Sequence, residues 1–185
     1  MTGEMKIYEA IDSVDTREEG AIIPIEFLRA QNPSSLPPAK LKLKVGAPII
    51  LLRNLFPAEG LCNGTRLVVK ALHESGLNTV ILGGQFHGKR RYIPRIILTH
   101  EMQEGGWIHH RRQFPVRLCF AMTINKAQGQ SLDRVGVDLR LPLFTHGQLY
   151  VALSRVTDVD KLNVLLPKQS DTRVENIVYP EVLLR

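Results

Sequence analysis

Between Phe114 and Leu166 the spacing of apolar residues changes twice, and this restricts the fold more than any other feature. Phe114, Val116, Leu118, Phe120 and Met122 recur at every second position, the period of a strand with one apolar face. Cys119, Ala121 and Thr123 lie on the opposite face and are small enough for a helix to cover closely. Val135, Val137 and Leu139 form a second alternating run. From Thr145 to Val156 the period becomes helical, with Leu149, Ala152, Leu153 and Val156 at i, i+3, i+4 and i+7. Thr145 and Gln148 make a T-x-x-Q pattern, which predicts a capping box at the helix start. Leu162 to Leu166 reads as another strand. Strand, loop, strand, helix, strand is the order expected of a parallel α/β sheet.

The first two-thirds of the chain has a different texture. Lys6 to Val14 alternates weakly, as a strand would, and IPIEFLRAQ predicts a short helix after Pro24. NPSSLPPA then marks a boundary. Beyond it, LKLKVGAPIILL, RLVVKAL (66–72), Thr79 to Leu82 and Tyr92 to Leu98 are β-rich. Asn63-Gly64, Gly83-Gly84 and His87-Gly88 supply turn signals between them. Short strands at this density suggest a small barrel or sandwich.

Several classes are disfavoured. No apolar run reaches the roughly eighteen residues of a membrane span, and MTGEMKIYEA lacks the pattern of a secretory signal. Two cysteines, Cys62 and Cys119, form no CxxC pair, so a reducing interior fits better than a disulfide scaffold. The adjacent His109 and His110 do not match metal-chelating spacings; solvated or capping histidines are expected, and no metal ligands.

The net charge of +6 is modest but unevenly distributed. Gln31 to Ala58 holds no acid beside Lys40, Lys42, Lys44 and Arg53. Gly105 to Leu132 holds none beside Arg111, Arg112, Arg117 and Lys126, and HGKRRYIPR (87–95) adds further cations. Such segregation suits a polyanion or a solvated basic surface, and charge alone does not choose between them.

Two stretches carry more chemistry. TINKAQGQS, Thr123 to Ser131, follows the first alternating run, the position where α/β sheets bind ligands. Thr123, Asn125, Lys126, Gln128, Gln130 and Ser131 bring donors, and Gly129 permits close backbone approach. The competing reading is an ordinary strand-to-helix loop. In HGQLYVALSRVT, Gln148 and Arg155 stand seven apart, near one helix face. Arg155 there is suited to a phosphate, which a guanidinium binds through two donors. A structural ion pair with Asp158 or Asp160 is the alternative.

TINKAQGQSLDRVGVDL followed by HGQLYVALSRV resembles the fifth and sixth motifs of the Pif-type (petite integration frequency) DNA helicases of superfamily one. That family includes the helicase domain of Helitron-like transposable elements. The resemblance extends through LPPAKLKLKVGAPIILLRNLFPAEGLCNGTRLVV, IPRI and RRQFPVRL to the tail NIVYPEVL. It implies an α/β fold, a partial second RecA-like domain of the P-loop NTPase type with an inserted small SH3-like β-barrel. Residues 1–35 and 113–185 would be the RecA-like parts and 36–112 the barrel.

The resemblance also implies site residues. Arg155 corresponds to an arginine finger, with Gln148, Gly129 and Ser131 on the nucleotide side. Thr123, Asn125 and Lys126 would hold single-stranded DNA, although many relatives have histidine where Asn125 stands. Arg53, Arg66, Lys89, Arg90 and Arg91 are further phosphate contacts, expected from charge rather than motif. ATP and Mg²⁺ are the implied cofactors, and single-stranded DNA and duplex junctions the implied partners. No membrane partner is expected. Movement 5′ to 3′ and nuclear work, with the mitochondrion as the alternative, complete the expectation. No G-x-x-x-x-G-K-[ST] phosphate loop occurs in the sequence. The chain is therefore expected to be a C-terminal portion, inactive alone and completed by an N-terminal RecA-like half in cis or trans. A stand-alone or degenerate nucleic-acid-binding module and a transposon relic are the rival readings.

Overall fold

The computed structural model describes residues 3–15, 23–31, 33, 35–102, 107–167 and 173–183. Asn32 and Ser34 of the proline-rich connector lie outside the described residues. The chain divides into two compact units, Met1–Phe120 and Ala121–Arg185. The boundaries expected at 35/36 and 112/113 both fall inside the first unit.

Unit 1 begins with β1 (Lys6–Glu9) and β2 (Ile11–Asp15), followed by α1 (Ile25–Ala30), β3 (Lys40–Leu43) and β4 (Pro48–Leu51). It continues with β5 (Arg66–Leu72), β6 (Gly76–Leu82), β7 (Arg90–Pro94), β8 (Ile96–Glu101), β9 (Ile108–Gln113) and β10 (Val116–Leu118). Five strands form an antiparallel sheet in the order β10-β4-β5-β6-β7. The first segment is built into this unit, because β1 pairs with β3 and β2 joins a second sheet of order β2-β9-β8. Alternation along the strands explains the core: Ile49 and Leu51, Leu67 and Val69, Leu77 and Ile81 all point inward with Tyr8, Leu41, Leu43 and Phe114. Each fully buried aliphatic side chain contributes about 1.5–3 kcal/mol.

Two expectations need correction here, and the expected barrel shows no closing strand pair among the described residues. Tyr92 to Leu98 is two strands, not one: β7 pairs with β6 and β8 with β9, and the chain changes sheet at Arg95, directly after Pro94. The five-stranded sheet ends at β10 and β7. The run from Phe114 to Met122 is not a parallel strand. Only Val116–Leu118 is extended, antiparallel to β4. From the last strand residue onward the pattern inverts, with Leu118 44% and Phe120 61% exposed and Cys119 buried. Once the strand ends, a period of two no longer decides which side chain faces the core.

Unit 2 holds β11 (Val135–Asp138), α2 (Gln148–Leu153), β12 (Leu162–Leu165) and α3 (Pro180–Leu183). β11 and β12 pair in parallel, Val135 opposite Leu162, as the alternating runs predict. They are the parallel pair of the described strands. Val137, Leu139, Leu143 and Ala152 form the core, flanked by Ile124, Leu149 and Leu166. α2 is shorter than its apolar period suggests. Gly147, at φ 72°, caps it, and no side chain bonds to the helix start. The expected capping box is absent because Gln148 Oε1 accepts instead from the Phe144 N–H at 3.1 Å. No described helix is long and apolar enough to cross a membrane.

Candidate functional site

The polar loop of unit 2 folds around a single 3-10 turn, Asn125–Ala127. The N–H groups of Lys126 and Ala127 both donate to the Thr123 carbonyl, at 3.1 and 3.3 Å. Ala127 is buried and anchors the turn, which leaves Thr123, Asn125, Lys126, Gly129 and Ser131 exposed. Gly129 has φ 76°, and an added Cβ would meet nothing within 4 Å. Its backbone angle, rather than crowding, is what calls for glycine here.

Arg155 lies just past the end of α2 and holds this loop to the helix. Its Nε donates to the Val151 carbonyl at 2.8 Å. Its Nη1 donates to the carbonyls of Ala127 at 3.3 Å and Gln130 at 3.0 Å, and Nη2 reaches Ser154 Oγ at 2.8 Å. The Arg155 carbonyl in turn accepts from the Leu132 N–H at 2.8 Å. The anticipated ion pair with Asp158 or Asp160 is not formed: Asp158 pairs with Lys161 and caps the N–H of Asp160. Gln148 is buried, its oxygen occupied by Phe144. At the end of β11, Arg140 hydrogen-bonds Asp138 and holds that carboxyl down at about 2.

The charge-based candidates of unit 1 are less uniform than their sequence suggests. Arg53, Lys89 and Arg90 are exposed. Arg66 is half-buried at the start of β5, and its Nε is buried without a partner among the described residues. Arg91 donates to the Glu59 carbonyl at 3.0 Å and lies 3.4 Å from the Glu59 carboxylate, so much of its charge is already answered.

Sequence reasoning missed a buried cluster. Arg111, counted above as surface charge, is fully buried. Its Nε meets Asp12 Oδ1 at 2.6 Å and Nη2 meets Asp12 Oδ2 at 3.4 Å. The remaining donors go to the carbonyls of Leu28, Gln31 and Pro37. His109, also buried, contacts Asp12 Oδ1 through Nε2 at 2.8 Å. Burial pulls the His109 pKa below its ordinary value; the Asp12 bond opposes this and Arg111 adds to it. His109 is thus neither solvated nor a cap. The inward alternation of β9 (His109, Arg111, Gln113) was the available signal, hidden because those residue types are polar.

Comparison with known proteins finds related sequences and structures. The family model described as DNA helicase Pif1, 2B domain, matches residues 26–72, and one described as Helicase matches residues 110–176. The ATP-dependent DNA helicase PIF1 of Danio rerio is 32% identical over 171 residues, and that of Homo sapiens 33% over 177. Each match covers 89% of this chain and 24% of the relative. The ATP-dependent DNA helicase RRM3 of Saccharomyces cerevisiae is 54% identical over 83 residues, covering 42% of this chain and 11% of the relative. The crystal structure of Pif1 helicase from Candida albicans matches with a TM-score of 0.71 at 26% identity, over 99% of this chain and 43% of that one. Bacteroides Pif1 bound to ssDNA shares the fold, with a TM-score of 0.64 at 22% identity, over 99% of this chain and 39% of that one. The architecture is that of a mixed α/β helicase segment. The chain matches a segment of the Pif1-type helicases of superfamily one, and it spans about a quarter of the length of the curated relatives it matches.

Proposed function

We propose that this chain is the portion of an ATP-driven DNA helicase that senses the nucleotide and forms part of the single-strand grip. The observation that carries the reading is Arg155 bound to two carbonyls of the loop that exposes Thr123, Asn125 and Lys126. A phosphate that drew the guanidinium away would take bonds from Ala127 and Gln130, so occupancy on one side would loosen or reset the loop on the other. That would be a physical route from nucleotide state to DNA grip.

The donor set suits a nucleotide phosphate. Arg155 brings a guanidinium, Ser131 a hydroxyl, and Gly129 a backbone with open space beside it. Gln148 keeps Oε1 on the Phe144 N–H, and its Nε2 is the group that would donate to a phosphate. ATP, bound with Mg²⁺, would supply the phosphoryl group whose hydrolysis drives the cycle. Thr123, Asn125 and Lys126 would hold the strand backbone, with Arg53, Arg66, Lys89, Arg90 and Arg91 as outlying phosphate contacts. In the same proposal residues 36–112 are the SH3-like insertion, the flanking residues are RecA-like, and an N-terminal RecA-like half in cis or trans holds the nucleotide. It extends to 5′-to-3′ movement on single-stranded DNA and duplex junctions in the nucleus, in repair, recombination, telomere maintenance or transposition, including a Helitron-like setting.

The test is ATPase activity of the 185-residue chain alone and after fusion to the N-terminal half of a Pif1 relative. The chain alone is expected to show no turnover, and the fusion is expected to restore DNA-stimulated turnover. Arg155→Ala in the fusion should lower it about a thousandfold and weaken oligonucleotide binding severalfold, because the loop loses its brace. Robust turnover by the isolated chain, or an indifferent Arg155→Ala, contradicts the reading. Binding with no response to nucleotide in the fusion favours a binding module.

A further inference from the structure

Unit 1 carries an open cleft of about 480 Å³ lined by Ile11, Glu74, Ser75, Pro94, Arg95 and Arg112. Neither arginine belongs to the sites described above. Arg112 projects from β9 on the solvent side, in register with Ile11 of β2 and Ile97 of β8. Its side chain makes no hydrogen bond or ion pair among the described residues. Arg95 sits at the corner between β7 and β8 and is braced from behind. Its guanidinium carbon lies 5.5 Å from the centre of the Tyr8 ring and 5.0 Å from that of Phe114. Nη1 donates to the Glu9 carbonyl at 3.0 Å, while Nε is buried without a partner among the described residues. Nη2 is likewise unengaged there.

The cleft is therefore lined by two guanidinium groups, of which Arg95 interacts electrostatically with Glu74 and Arg112 has no charged partner among the described residues. Its acid, Glu74, is already paired with Lys6 at 2.5 Å. Stacking on two core rings fixes Arg95 before any ligand arrives, which lowers the entropy cost of binding. Part of the wall beside the cations is apolar, formed by Pro94 and by Ile11, which is 61% exposed. An anion carried on a partly apolar chain fits such walls better than a fully hydrated free phosphate.

We propose that this cleft binds the phosphodiester backbone of a nucleic-acid strand, with Arg95 and Arg112 as the anion donors. It rests on the DNA-binding reading above and adds a contact region on unit 1, apart from the loop of unit 2.

The experiment is fluorescence anisotropy of the whole chain with a labelled oligo-dT across a salt series. Arg112→Ala should weaken binding about threefold to tenfold and flatten the salt slope by about one phosphate's worth. Arg95→Lys, which keeps the charge over the rings but removes the planar fork, should weaken it less. In parallel, phenylglyoxal labelling read by mass spectrometry should show Arg112 protected by oligo-dT. If Arg112→Ala leaves affinity and slope unchanged while Lys126→Ala lowers both, the cleft assignment is overturned and the reading of the loop survives. If the unaltered chain binds no oligonucleotide, both fall. Protection by pyrophosphate but not oligo-dT, or equal protection by polyglutamate, overturns the strand in favour of a small anion or an acidic polypeptide.

Discussion

Arg111 in unit 1 and Arg155 in unit 2 are both arginines held largely by backbone carbonyls, yet only one has a counter-charge. Arg111 is fully buried, uses all five of its N–H donors, and faces the carboxylate of Asp12. Arg155 is half-buried and bonded to three carbonyls and a hydroxyl, with no ion pair among the described residues. A buried charge with its counter-ion is a closed lock, since removing either partner strands the other in low dielectric. A partly exposed charge on neutral acceptors keeps its attraction for an incoming anion. The comparison separates an arginine that builds the fold from one available for exchange.

The largest expected effect breaks the lock. Arg111→Met leaves Asp12 buried beside a histidine and frees the carbonyls of Leu28, Gln31 and Pro37. It should cost about 3–5 kcal/mol of unit 1 stability, measured by chemical denaturation. Adding Asp12→Leu should recover a large part of that loss, because no uncompensated carboxylate then remains. A single variant as stable as the unaltered chain would dissolve the distinction between the two arginines.

Arg155→Met should be milder for stability, about 1–2 kcal/mol, because water can reach the carbonyls it releases. The change should concentrate in residues 123–131 and appear as faster amide hydrogen exchange there, with β11 and β12 little affected. Uniform loss of protection across unit 2 would mean that Arg155 is a fold element like Arg111. Oligonucleotide binding should fall in step with the local loosening.

How far these differences are legible in sequence depends on which force positions each residue. The β11–β12 pairing was readable because Val135, Val137 and Leu139 satisfy a simple apolar alternation. The extent of β5 was readable from its β-rich run RLVVKAL, with the Asn63-Gly64 turn signal before it. The capping box fails because two neighbouring donors compete for one acceptor: Gln148 Oε1 takes the Phe144 N–H in place of that of Thr145, and Gly147 takes the cap position. The Asp12–His109–Arg111 cluster was unreadable from hydrophobic pattern, since its inward positions carry polar residues paired across about a hundred positions of chain. At the candidate site the motifs identified Arg155 and its loop, but not their bonds to each other. Those depend on where α2 ends, and helix ends are the least legible part of a sequence.

His109 provides the smallest effect and the finest discrimination. Its pKa in the folded chain lies below the ordinary 6.5, with burial the leading cause. Asp12 faces it as a hydrogen-bond acceptor and raises the value, while Arg111 and, more weakly, His100 lower it. The folded state thus binds this proton less readily than the unfolded chain. Stability should be fully present above the ordinary histidine range and decline as pH falls from about 6.5 toward the depressed folded value. Nδ1 of His109 is buried with no partner among the described residues, so a proton added there would find no acceptor. Chemical denaturation of unit 1 at pH 7.5 and at successive steps down to pH 5 should show that decline, and His109→Gln should flatten it while leaving the Asp12–Arg111 pair in place. A slope of opposite sign would show that the Asp12 bond outweighs burial, making His109 a charged member of the lock and bringing unit 1 nearer to a three-charge cluster than to a single closed pair.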